Sequence, residues 1–481
     1  MLFNSYIYIF LFLPTVYIVY FSLNSLKLFN IAKVFLVLSS LFFYSWWNIK
    51  YLPIIIVSML FNYTIGIILS KSNITYKKLI LAFGIVSNIA LLGYFKYSDF
   101  FISITNDIFN SNIKLLHLAL PLAISFFTFQ QIAYLVDSYK GETKEYDFLN
   151  YANFVTFFPQ LIAGPIVHHK EMMPQFANLS NKYIKYENIA KGLFIFSIGI
   201  FKKVVIADTF AIWASAGFDR AETLNMAEAW ITSLSYTFQL YYDFSGYTDM
   251  AIGSALLFNI KLPINFNSPY KATSIQDFWR RWHITLSRFL KDYIYIPLGG
   301  NRRGEGRTYI NLLTTFLIGG IWHGAGWNFL FWGFLHGLAM VIHRLWKKLN
   351  LKLHTIIAWF ITFNFINITW IFFRAKNWDD AIKVLKGMFF GDIVIPIEWK
   401  SHLSNLLHID LNYGYWLRSI PNNYVIYWII VAFIITIFFK NSNYLTENFK
   451  PNIKTLIFTA ILFLISISLL ERFSEFLYFN F

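Results

Sequence analysis

Three places in this chain put side chains capable of chemistry where the surrounding sequence is apolar. The first is WHGAGWNFLFWGFLHG, from Trp322 to Gly337. His323 stands among Gly319, Gly320, Gly324 and Gly326, too many glycines for an uninterrupted helix. A backbone break inside a membrane is tolerated where it lines a cavity or packs on protein. An imidazole takes up and returns a proton near neutral pH, so His323 suits a general base or an acyl carrier. The plainer alternative is a histidine hydrogen-bonded between helices; the glycines and the neighbouring Trp322, Trp327 and Asn328 favour a site. His336 and His343 lie seven residues apart, two turns along one helix face. They read as packing or interface residues, with His336 the better placed to face a site.

The second place is YYDFSGYTDMAIG, Tyr241 to Gly253. Asp243 and Asp249 would sit on different faces of a continuous helix, which Gly246 is expected to interrupt. They either wall a polar cavity and orient a histidine, or are tied to backbone or Arg groups. Ser245 is not in a G-x-S-x-G elbow, which argues against a serine hydrolase. The third place is DFWRRWHITLSRFLKDYIYIPLGGNRRGEGR, Asp277 to Arg307. Eight Lys or Arg and three acids fall between Lys271 and Arg307, interleaved with Phe278, Trp279, Trp282, Tyr293 and Tyr295. This pattern suits an amphipathic element at the membrane surface, its cations reaching the lipid phosphates. A sharper reading is a phosphate-rich cytoplasmic ligand, such as a coenzyme A nucleotide, held by Arg280, Arg281 and their neighbours near His283. Neither a P-loop, nor a dinucleotide fingerprint, nor H-E-x-x-H or other metal spacing occurs. With no cysteine, the chain can form no disulfide, thiolate metal site or enzyme-bound thioester.

The elements that must position these groups follow from composition. Of 481 residues 57% are apolar or aromatic and 14% charged, and the mean hydropathy is +0.51. Soluble domains carry about 25% charge. The apolar residues form long runs, near 2–23, 31–47, 51–69, 79–95, 117–137, 151–167, 188–217, 228–258, 308–346, 355–373, 424–439 and 453–470. At ~20 residues per span this allows about ten to twelve crossings. The expectation is an all-α polytopic membrane protein forming a single domain over 1–481, with a polar segment at 259–307, an external loop at 375–423 and C-terminal helices over 424–481. Residues 96–114 read as a mixed loop. The net charge of +15 fits lysines and arginines held in cytoplasmic loops better than a nucleic-acid partner. Lys27, Lys33, Lys71, Lys77 and Lys78 place the first and third connections in the cytoplasm and the N-terminus outside.

Several of these stretches together resemble the membrane-bound O-acyltransferase family, in its bacterial branch of alginate and peptidoglycan O-acetyltransferases, relatives of the membrane protein of teichoic-acid D-alanylation. They are LPLAISFFTFQQIAYLVDSYKG (120–141), FFPQLIAGPIVHHKEMMPQF (157–176), YYDFSGYTDMAIG (241–253), INFNSPYKATSIQDFWRRWHITLSRFLKDYIYIPLGGNR (264–302) and GGIWHGAGWNFLFWGFLHG (319–337). The likeness covers about 30–370, and the ending ERFSEFLYFNF from Glu471 also looks like this branch. It implies a ring of helices around a thin central floor, with a cytoplasmic funnel for the acyl donor. His323 falls on the family's catalytically required histidine and His283 on its second motif position. Asp243 and Asn267 are implied as structural or pocket residues, beside Trp282, Trp322, Asn328, Arg280 and Arg281. The implied donor is cytoplasmic acetyl-CoA with no metal, and the implied acceptor is an extracytoplasmic polysaccharide. In a bacterial inner membrane, a periplasmic transferase partner, the extracytoplasmic glycan and membrane lipid are the expected partners, with no nucleic acid. A transporter or flippase of a glycan or lipid intermediate, D-alanyl transfer to teichoic acid, and a non-catalytic assembly scaffold are the alternatives.

Overall fold

Most of the apolar runs become helices in the computed structural model, which describes residues 1–71, 75–143, 147–162, 164–397, 412–471 and 477; the run 117–137 is helical only from Ile124, and 151–167 breaks into the short helices Phe148–Thr156 and Phe158–Leu161. Among them five helices are long and apolar enough to cross a membrane: Ile7–Ser25, Ile49–Ser70, Lys77–Lys96, Trp327–Lys348 and Thr355–Arg374. Phe29–Ser45, Val425–Phe438 and Ile453–Ser468 are shorter apolar helices. Their outward faces carry exposed Phe10, Leu38, Val57, Phe83, Ile342 and Phe360. Water does not tolerate so much contiguous apolar surface on a soluble monomer, and lipid satisfies it.

The interior helices obey a different rule. Met226–Leu257 is buried along nearly its whole length and opens with a reciprocal cap between Asn225 and Glu228. Gly246 does not interrupt it, contrary to the expectation from sequence. A Cβ there would lie 2.7 Å from the carbonyl oxygen of Gly199, and one on Gly253 would lie 2.6 Å from that of Gly192. These glycines let the helix Tyr186–Phe201 approach backbone to backbone, as small residues do between membrane helices. The two aspartates on the long helix are paired with lysines: Asp243 with Lys203 at 2.7 Å and Asp249 with Lys202 at 2.7 Å. Lys203 also meets Asp208 at 2.8 Å, and Asp243 accepts the Leu477 N–H at 3.3 Å. Buried charge is tolerated when paired in this way.

Two further expectations are corrected. Residues 96–114 contain the helix Ser98–Phe109, closed by Asn110 in a left-handed conformation (φ +48°). The stretch after it folds back because the Asp99 carboxylate accepts the N–H groups of Leu116 and His117. Three of the third segment's aromatics, Phe278, Trp279 and Trp282, are buried in protein rather than at a lipid surface, while Tyr293 and Tyr295 are partly exposed. That segment folds as the helix Ile275–Arg281, a reversal at Trp282 and His283, and the helix Ile284–Leu290. Within 375–423 the structure has the helix Trp378–Phe390 and a parallel pair of two-residue strands, Ile395–Pro396 and Tyr413–Gly414. The remainder of that stretch, 398–411, and the aromatic ending after Glu471, apart from Leu477, lie outside the described residues.

Candidate active site

The run 308–346 folds as a helical hairpin, Glu305–His323 and Trp327–Lys348, and the break falls immediately after His323. Gly324 and Gly326 have extended backbones (φ −162° and −175°) that any residue adopts, so left-handed geometry is not the reason for glycine. Space is: a Cβ on Gly324 would lie 2.2 Å from the Phe329 ring, and one on Gly333 would lie 2.5 Å from the Phe316 carbonyl oxygen. The helix thus ends where its last side chain is an imidazole.

A helix C-terminus leaves carbonyls without intrahelical partners. Here Lys96, ending its own helix, donates from Nζ to the carbonyl oxygens of Trp322 at 2.6 Å and His323 at 3.0 Å. The cation also complements the negative end of the helix dipole. Hydrogen bonds to charged groups are worth about 1.5–3 kcal/mol. Lys96→Met is therefore expected to lower the thermal unfolding temperature and slow turnover together; unchanged stability by tryptophan fluorescence would rule out this cap.

The His323 ring is only 5% exposed and sits in an aromatic enclosure. Ring centroids of Trp322, Phe373 and Trp332 lie at 4.9, 5.0 and 5.2 Å, and that of His283 at 6.4 Å. Trp322 belongs to one apolar core, stacking on Phe129 at 5.1 Å. Trp332 and Phe373 belong to the other. His323 thus lies at the seam between the two larger apolar clusters.

His283 reaches this seam from the reversal between its two short helices, where its own backbone is left-handed (φ +42°). Asn265 holds the reversal. Its Oδ1 accepts the Thr285 N–H at 3.2 Å and the Thr285 hydroxyl at 3.0 Å, and lies 3.1 Å from His283 Nδ1. Its backbone carbonyl accepts the Ile284 N–H at 3.0 Å. Because the Thr285 N–H can only donate, the oxygen of Asn265 must point this way. His283 then carries its proton on Nδ1 and presents Nε2 as its acceptor nitrogen.

The other residues singled out from sequence distribute around this pair. Trp322 is in contact with both histidines. Trp282 is buried next to His283 in the chain and packs on Trp370 at 5.0 Å. Asn328 is buried and donates to the Ala375 carbonyl at 2.9 Å, tying the hairpin to the end of Thr355–Arg374. His336 is fully buried behind Trp332, accepting from Trp279 Nε1 at 3.2 Å and bonded to Thr369 Oγ at 3.1 Å. Asp243 is engaged in the lysine network described above. Arg280 is exposed, and Arg281 is paired with Asp277 at 2.9 Å. Asn267 is exposed and accepts from Asn441 at 2.8 Å. Asn267 and Arg281 together line a separate polar cavity of about 350 Å³ with Lys271 and Lys440.

Sequence reasoning missed Asn265 and Lys96. Asn265 stands two residues before Asn267 in the same polar stretch, and only its burial against Thr285 and His283 distinguishes it. Lys96 at the end of an apolar run reads as an interfacial anchor. Its role depends on a partner more than 200 positions away in the chain.

Residues 10–378 match the profile of the MBOAT, membrane-bound O-acyltransferase family. The chain is 51% identical to the peptidoglycan O-acetyltransferase of Helicobacter pylori, over all of this chain and 98% of that protein. It is 40% identical to the probable alginate O-acetylase AlgI of Pseudomonas aeruginosa, over 81% of this chain and 75% of the other. It is 26% identical to the teichoic acid D-alanyltransferase of Streptococcus thermophilus, over 53% of this chain and 68% of the other. A multi-pass helical chain with a paired-histidine seam, matched to one family over most of its length, leads to a single assignment: this protein is an acyltransferase and belongs to the membrane-bound O-acyltransferase family.

Proposed function

We propose that this protein carries acetyl groups from cytoplasmic acetyl-CoA across the bacterial inner membrane for O-acetylation of peptidoglycan, with His323 as the catalytic base. The observation that carries the reading is the His283–His323 pair, 6.4 Å apart at the seam between the two apolar cores. The similarity to the Helicobacter pylori peptidoglycan O-acetyltransferase across both full lengths supports this acceptor over an alginate-like polymer or teichoic acid. In this reading the helices ring a thin floor at His323. A cytoplasmic funnel leads to His283, and the N-terminus lies in the periplasm.

The chemistry is thioester to oxygen ester. His323 takes the proton of the acceptor hydroxyl as that oxygen attacks the acetyl carbonyl. The tetrahedral intermediate collapses, the C–S bond breaks, and the coenzyme thiol leaves with the proton that the imidazole returns. Trp322, Trp332 and Phe373 form a low-dielectric wall that excludes water, which would otherwise hydrolyse the donor. His283, with Nε2 as acceptor, is placed to orient the donor from the cytoplasmic side. The acceptor is either the glycan itself or a hydroxyl of a periplasmic transferase that delivers the acetyl group to the sugar.

The test is chemical. Acetate released by mild base from purified peptidoglycan is measured in cells with and without the gene, beside labelled acetyl transfer from acetyl-CoA in membrane vesicles. The reading requires both signals to depend on the protein. A transporter or flippase would leave acetyl-CoA consumption unchanged when the protein is removed.

A further inference from the structure

The stretch FFPQLIAGPIVHHKEMMPQF contains two adjacent histidines that the acyl-transfer site does not use. His168 precedes and His169 opens the helix His169–Ala177. Both meet Asp137, near the end of the helix Ile124–Tyr139. His168 Nε2 lies 3.0 Å and His169 Nδ1 3.6 Å from Asp137 Oδ2. One ligand atom from each of the three residues falls within 4.8 Å of the other two. The Tyr293 hydroxyl joins them, 3.0 Å from the same Asp137 oxygen and hydrogen-bonded to His168 Nε2.

We propose that Asp137, His168 and His169, with Tyr293 as a fourth oxygen donor, form a binding site for a divalent transition-metal cation, for which Zn²⁺ is the best match. Zinc binds His nitrogen at about 2.0–2.1 Å and carboxylate oxygen at about 2.0–2.2 Å in a tetrahedron. The edges of such a tetrahedron are about 3.3–3.5 Å, and the separations of the other donors from Asp137 Oδ2, 3.0, 3.0 and 3.6 Å, bracket that length. Two nitrogen donors and a single carboxylate select zinc or cobalt over calcium and magnesium, which take shells of oxygen. The setting is that of a metal centre rather than a surface cluster. The Asp137 and His169 side chains are 3% and 0% exposed, while His168, at 19%, leaves a path for entry. Tyr134 and Phe154 pack edge-on to the His169 ring, with centroids at 5.8 and 6.4 Å, and hold its plane.

With four protein donors the shell is closed, as in structural sites. The cation ties together three separate segments: the helix of Asp137, the helix of His169, and the π-helical segment Lys291–Tyr295 that continues from Ile284–Leu290. That π-helical stretch belongs to the segment carrying His283. Phe289 stacks on Phe129 at 4.0 Å, and Phe129 in turn stacks on Trp322. The metal therefore clamps the segment that presents His283 against the helix that supports Trp322. The ligands escape motif inspection because Asp137 and the histidines lie far apart in sequence.

The experiment uses the full-length protein in detergent, purified with a tag free of histidine, stripped with EDTA and titrated with ZnCl₂ or CoCl₂. Metal retained after gel filtration, the visible absorption of bound Co²⁺, and the unfolding temperature are measured. Wild type is expected to retain about one equivalent, to show the intense absorption of tetrahedral cobalt, and to unfold at a higher temperature when metal is added. Asp137→Asn and His169→Ala are expected to retain at least about tenfold less metal at limiting concentration, and the exposed control His117→Ala to behave as wild type. Should the buried variants fail to fold, His168→Gln, at the partly exposed edge, gives the same comparison. Stripped wild type that binds neither metal above the level of these variants would overturn the proposal and leave a hydrogen-bonded cluster of Asp, His and Tyr.

Discussion

Replacing His323 with glutamine is expected to lower acetyl transfer by about 10²–10⁴-fold, the range that general-base catalysis supplies. Glutamine fills much of the imidazole's space among Trp322, Trp332 and Phe373 and can still hydrogen-bond, but it cannot take a proton from a hydroxyl. The substitution therefore separates chemistry from packing better than alanine, which would also open a cavity between the two cores. The variant should insert, unfold near the wild-type temperature, and leave peptidoglycan without mild-base-labile acetate. Full acetylation by a well-expressed His323→Gln or His323→Ala protein would remove the ring from the mechanism. An assembly scaffold requires that result, whereas a base does not permit it.

The second large effect is expected at a residue that touches no substrate. Asn265→Ala removes the oxygen that receives two donors from Thr285 and faces His283 Nδ1. A buried donor left unmade costs about 1–3 kcal/mol, and these partners share one reversal, so their costs are not additive. A loss of one such increment at the transition state is a fall of about tenfold or more in kcat/KM. On the proposed role of His283 in orienting the donor, the change should appear mainly as a raised apparent KM for acetyl-CoA. Asn265→Asp keeps an acceptor at Oδ1 and is expected to recover most of the folding stability. If Asn265→Ala matches wild type in donor dependence while His283→Ala does not, Asn265 does not position the ring.

Lys96, Asn265 and His323 show how a single small site is assembled from distant parts. The lysine comes from the end of Lys77–Lys96, the amide from the irregular stretch between Met226–Leu257 and Ile275–Arg281, and the imidazole from the break in the hairpin. Lys96 and Asn265 each bond to backbone groups of another segment.

Membrane residence and the helical class were legible in the residues alone. Long apolar runs with few charges leave helices as the economical way to satisfy backbone polar groups in lipid, and the runs at 31–47, 51–69, 79–95 and 355–373 correspond to helices within a few residues. His323 stood out as a candidate in the residues alone, because an ionisable side chain among glycines in an apolar run is costly without a purpose. The glycines announced a break but not its cause, since their role at Gly324 and Gly333 is to clear space for Phe329 and Phe316. Gly246 was misread for the same reason: a glycine that breaks a helix and one that admits a neighbouring helix look identical in sequence. Only the tertiary structure decided which polar residues meet. Asp243 and Asp249 went to lysines, Asn265 rather than Asn267 went to His283, and Asp137 went to His168 and His169, because pairing in a membrane interior is set by which helices touch and not by distance along the chain.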